Sequence, residues 1–279
     1  MVSQLFGAVV RAVLVVIVVL TPSLLLQGTT AENAQATMLL AFVLAVIVAW
    51  EYASPAPAII AFKEAPPLNR LRILTLFSVF AALCAVVGYD GSSTTGLVLN
   101  AIGLLVGRLL DFAGSPIALF LAQAPADTPA AILDKARNLS GLAIVITALS
   151  AILFAVLVRF RHWPNRDRAF SVWINLPNFD PTSGVDVVTR LLRDGRISIL
   201  AAMLASFVFP VVAGVCARQV GFDPFASYHA IVWGIGVWMF VPLSLFMRGL
   251  AMMRLARMIR TRRARLVADL HVDAPRQLA

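Results

Sequence analysis

Apolar residues along this chain gather into long uninterrupted runs, and the polar and charged residues are confined to the connectors between them. About 20 apolar residues are needed for an α-helix to cross the hydrocarbon core of a bilayer, where every backbone N–H and C=O must be satisfied within the helix. Runs at 5–26, 38–52, 73–89, 138–160 and 197–216 meet that requirement, the second by extending past its drawn ends. A sixth, 228–246, closes at Arg248. The pattern therefore predicts an all-α, polytopic transmembrane bundle. The first run has a possible A-x-A cleavage site after it at Ala34-Gln35-Ala36, but Arg11 lies inside the run rather than before it, which favours an uncleaved first helix.

The stretch 95–122 does not fit this scheme directly. Gly114-Ser115-Pro116 divides it into one piece of near-normal length and one far too short to span. Connector charge supplies a second constraint, because cytoplasmic loops carry excess Lys and Arg. The 159–196 connector, the residues after 246 and the Lys63/Arg70/Arg72 connector are all basic, whereas the turns at 27–35 and 90–95 have no basic residue. Placing every basic connector on one side requires 95–122 to cross an even number of times. The expectation is six spans with both termini cytoplasmic, plus a re-entrant or short helical element over 96–122. A seventh span is the alternative, at the cost of one basic connector on the wrong side.

Composition agrees with lipid as the solvent: hydrophobic residues make up 60% of the chain and charged residues 13%. The net charge of +9 is almost all arginine, since Lys63 and Lys135 are the only lysines. No basic stripe interleaved with aromatics runs through a soluble domain, so nucleic acid is not an expected partner. Anionic lipid headgroups are, together with a membrane-protein partner complex. The arginine skew fits a GC-rich bacterial genome, and the expected location is the bacterial inner membrane. The chain divides into a bundle over 1–248, with a cytoplasmic connector at 161–196, and a basic helical tail over 249–279.

Few residues carry candidate chemistry. On a helix over 96–111, Asn100, Gly103, Gly107 and Asp111 share one side with Arg108 beside it, and Arg108 and Asp111 are spaced i,i+3 for mutual neutralisation. That face reads either as an intramembrane polar pathway or as a small-residue packing surface. Glu51, between Trp50 and Tyr52, reads as an interfacial carboxylate in an aromatic belt if the helix stops there, and as a buried transporter carboxylate if it continues towards Phe62. His229 is a weak candidate for a pigment ligand, and His162 lies at the opposite face.

In the connector, Asn175 to Thr182 is turn-rich. Ser183 is positioned to cap a short surface helix with Arg190 and Arg193 flanking an apolar stripe and Gly195 at its end. The tail carries Arg254, Arg257, Arg260, Arg262, Arg263 and Arg265 for contact with lipid or a partner. Cys84 and Cys216 stand apart with no CxxC or Cys/His cluster, and buried unpaired thiols are expected at both. No GxGxxG, P-loop, HExxH or GxSxG occurs, so no metal or cofactor is expected. The functional expectation is a non-enzymatic accessory or scaffold subunit. The alternatives are a permease using Asn100, Arg108, Asp111 and Glu51, and, more weakly, a pigment-binding protein or membrane enzyme.

Overall fold

The computed structural model describes residues 2–55, 59–60, 62–63, 66–160, 176 and 186–273, and every element among them is helical. The helices are α1 (Val2–Leu25), α2 (Ala31–Ala53), α3 (Pro66–Val87), α4 (Thr94–Leu109), α5 (Pro116–Leu121), α6 (Ala130–Phe160), α7 (Val187–Gln219) and α8 (Tyr228–Asp273). All but α4 and α5 are long and apolar enough to cross a membrane. Their outward surfaces are apolar too, with Phe6, Leu39, Leu149, Leu200 and Met203 among many large side chains left more than 60% exposed. An outer surface of this kind is stable only against hydrocarbon, so the chain is a multi-pass integral membrane protein.

Local sequence sets the helix ends. Thr30, Ser93, Ser115 and Asp186 cap α2, α4, α5 and α7, each side chain accepting a backbone N–H three residues on. Pro116 occupies the first turn of α5, where its missing N–H costs nothing. Gly114, at φ +80°, makes the reversal between α4 and α5 that a Cβ would strain.

The central helix is α8, which packs against α1, α3, α6 and α7, while α2 lies mainly on α1 and α4 mainly on α6. Antiparallel pairings fix the register: Phe80 of α3 meets Trp233 and Gly236 of α8, and Trp238 of α8 donates to the Ser206 carbonyl of α7 at 3.0 Å. The interior forms two clusters stacked along the bundle. One gathers Phe80, Leu83, Ile117, Leu139 and Trp238 towards the turns at 26–30, 88–93, 122–129 and 220–227. The other gathers Leu68, Phe154, Leu191, Met247 and Met252 towards the end with most of the arginines. We call these the turn end and the basic end.

The buried and packed residues of α4 and α5 belong to the turn-end cluster alone. At about 1.5 Å per residue, the 16 residues of α4 reach about 24 Å, short of the roughly 30 Å hydrocarbon core. After α4, the chain turns at Gly114 and α5 returns, with Gln123 against Gly214 and Arg218 at the turn end of α7. The α4–α5 unit thus stays in one half of the bundle, as the Gly-Ser-Pro break implied.

Two expectations about α7 change. The amphipathic segment flanked by Arg190 and Arg193 is not a separate surface helix but the first turns of the 33-residue α7. Its N-cap is Asp186, and the expected Ser183 cap lies outside the described residues, as do His162 and the 175–182 turn apart from Leu176. Gly195 does not terminate the helix. A Cβ there would lie 3.0 Å from the Gly249 carbonyl oxygen, so the glycine serves close approach of α8 rather than a stop. The last span continues into the basic tail as one helix: α8 runs through residue 248 unbroken, and Ala251, Met252, Leu255 and Ala256 beyond it are buried in the basic-end cluster.

Candidate functional site

The basic end is built by the antiparallel extension of α7 and α8. At about 1.5 Å per residue the 46 residues of α8 reach about 69 Å, more than twice the hydrocarbon thickness, so its C-terminal half projects beyond it. Gly195 and Gly249 bring the two backbones together, and further out Arg263 donates to Asp186 at 2.5 Å. This guanidinium holds the Asp186 carboxyl below the usual carboxylate range, with the Thr189 amide helping.

Between these tie points two clefts open, sharing Arg257 and Met253. One, of about 140 Å³, has Arg159, Arg254 and Arg257 around Val158 and Leu250. The other, of about 220 Å³, has Arg196, Arg257 and Arg260 around Val188 and Leu192. Three guanidiniums above an apolar floor match an anionic head attached to an apolar chain. Of the other expected contact residues, Arg193 lies beside Asp194 at 3.2 Å, Arg190 is half-buried, and Arg262, Arg263 and Arg265 are exposed on α8.

Glu51 is buried near the end of α2, which stops at Ala53, so it is not at mid-membrane. Its Oε2 accepts the backbone N–H groups of Ile59 and Ile60, at 2.9 and 3.0 Å, and so folds the α2–α3 connector back on the helix. Beside it the Arg11 guanidinium stacks 4.5 Å from the Tyr52 ring centroid, and Arg72 donates to Ser244 Oγ at 3.0 Å while lying over Phe240. These cations are held by rings and hydroxyls of the bundle. Trp50, next to Glu51, is 75% exposed.

At the turn end, the glycine face of α4 is a packing surface. Cβ atoms at Gly103 and Gly107 would stand 2.5 and 2.6 Å from the carbonyl oxygens of Asn138 and Arg137 on α6. The expected Arg108–Asp111 pair does not form. Leu110 is already the C-cap of α4, so Asp111 leaves the helical register and its Oδ2 accepts from Arg137 Nε at 2.6 Å. Arg137 also pairs with Asp134, while Arg108 is exposed and Asn100 half-buried. His229 is buried, with Nε2 bonded to Ser23 Oγ at 2.9 Å, which joins α1 to α8. Among the described residues no three His, Cys, Asp or Glu side chains gather as a metal site. Cys84 is buried as expected, but Cys216 is exposed.

No protein-family model, curated protein or solved structure matches the chain. Arg137, the partner of Asp111, had no sequence signal, since the pairing depends on how α4 crosses α6. Arg159 and Arg196 are visible in sequence only as the limits of a basic connector, and the cleft geometry makes them neighbours of Arg257.

Proposed function

We propose that this protein is a non-enzymatic membrane subunit whose basic end holds anionic lipid headgroups and presents the paired α7–α8 extension to a partner complex. The observation that carries this reading is the pair of arginine-rimmed, apolar-floored clefts sharing Arg257. The positive-inside rule gives this end to the cytoplasmic face of a bacterial inner membrane, where anionic lipids supply the complementary charge. Each arginine near such a surface contributes about 1 kcal/mol, so neutralising one weakens binding about fivefold.

Mass spectrometry of the protein released from nanodiscs of mixed phosphatidylglycerol and phosphatidylethanolamine tests this. Preferential retention of phosphatidylglycerol, reduced in Arg257→Gln and further in Arg196→Gln/Arg257→Gln, supports the proposal. Equal retention of the two lipids in the unmodified protein rejects it.

A permease is the second reading, favoured by the α4–α5 unit that enters and leaves one half of the bundle. On that reading Asp111→Asn or Glu51→Gln abolishes flux without lowering expression. The weaker pigment reading would use His229, and an absorption spectrum without visible bands disposes of it.

A further inference from the structure

A second cavity, of about 630 Å³, lies at the turn end between α2, α5, α7 and α8, away from the arginine clefts. Such volumes are typical of small-molecule sites. Its walls are mostly apolar, and small residues at Ala36, Ala213, Gly214, Ala230 and Gly234 leave the room. Because α2 packs mainly on α1, the cavity lies between two lipid-facing helices, with Leu39 and Leu40 of α2 and Val212 and Val215 of α7 exposed nearby. An apolar occupant can therefore enter from the bilayer.

Polar groups gather at one end. Asn33 and Thr37 come from the first turns of α2, Gln123 from the end of α5 and His229 from the start of α8. Three of these have local partners: Thr37 donates to the Asn33 carbonyl, Gln123 Oε1 accepts from Arg218, and His229 Nε2 is bonded to Ser23. The Asn33 side-chain amide and His229 Nδ1 make no hydrogen bond among the described residues, and both residues line the cavity. Asn33 is half-buried and His229 buried, so their spare hydrogen-bonding atoms are placed to meet a polar group that enters the cavity. The deficit is of neutral hydrogen bonds rather than of charge.

We propose that this cavity is a lateral binding site for an amphiphile with an uncharged, oxygen-bearing head and one apolar tail. The head's carbonyl or hydroxyl oxygen sits between Asn33 and His229, and the tail lies along Phe209, Pro210 and Val237. A charged head is disfavoured, because no cation or carboxylate lines the cavity and the nearest guanidinium, Arg218, is directed to Gln123 Oε1.

Exposed Cys216 also lines the cavity and reports on its occupancy, while Cys84 is buried elsewhere. The full chain in nanodiscs is labelled with a maleimide in the presence of 1-oleoylglycerol, decylubiquinone or sodium oleate. Saturable slowing of Cys216 labelling, at least fivefold, by one or both uncharged probes and not by oleate is the expected result. The identity of the effective probe tells an acylglycerol from a quinone head. Asn33→Leu weakens the protection tenfold or more, and Ala213→Trp, which fills the cavity without touching the Ser23–His229 bond, abolishes it. Absence of saturable protection by either uncharged probe overturns the proposal, as does equal protection in a folded Ala213→Trp variant. Protection by oleate alone overturns the assignment of an uncharged head.

Discussion

Gly141 is where the placement of α4 is most sharply testable. A Cβ on this residue would lie 2.6 Å from both the Gly103 carbonyl oxygen and Gly107 Cα, against an ordinary contact of 3.4 Å or more. Gly107 N is closer still, so Gly141→Ala must push α4 from α6 by about 1.1 Å, since backbone atoms on both sides leave no side chain to rotate away. Gaps of 0.5–1 Å forfeit about a quarter to a half of each dispersion contact, and overpacking substitutions cost about 1–3 kcal/mol. Gly234→Ala is the control, because nothing lies within 4 Å of its added methyl. In mid-helix, alanine there gains up to about 1 kcal/mol. Alanine's propensity gain is common to both helices, so unfolding the two variants with SDS in mixed micelles, followed by tryptophan fluorescence, should separate them by about 1–3 kcal/mol. Equal stabilities would show that α4 does not cross α6 on this glycine face.

Replacing Glu51 with alanine strands the Ile59 and Ile60 amides and costs about 1–3 kcal/mol for each, whereas Glu51→Gln keeps an acceptor oxygen and costs less. Limited proteolysis at the α2–α3 connector should rank the three proteins in that order. The Asp186–Arg263 tie is pH-dependent: a carboxyl with a depressed folded-state pKa contributes stability above its unfolded value, near 3.8, and loses it as pH falls further, through the folded value. Hydrogen exchange in the first turn of α7 should therefore rise below about pH 4. In Asp186→Asn it should already be raised at neutral pH and should lack that transition.

The spans were legible because lipid imposes one severe condition, that the backbone of each crossing satisfy itself inside about 20 apolar residues. The α4–α5 reversal was legible for a related reason, since Gly114-Ser115-Pro116 combines a left-handed turn, a cap and a first-turn proline. Gly195 was misread because the same residue that ends a helix in water serves close packing when another backbone covers it. Asp111 illustrates the harder limit. Spacing along one helix suggested Arg108, but the helix ended two residues before Asp111 and the nearer cation came from α6. The lateral cavity has no linear signature, because its small and polar residues come from four helices far apart in the chain.

The architecture rests on the α4–α5 unit returning to the side it entered from, with the basic end opposite. Single cysteines at Asp90, Asp127 and Thr261, placed one at a time in a Cys216→Ser background and labelled with an impermeant maleimide on intact and everted vesicles, test it directly. Asp90→Cys and Asp127→Cys should react from one side and Thr261→Cys from the other. Reaction of the Asp90 and Asp127 positions from opposite sides would mean that the intervening segment spans the membrane, and would contradict the six-span arrangement.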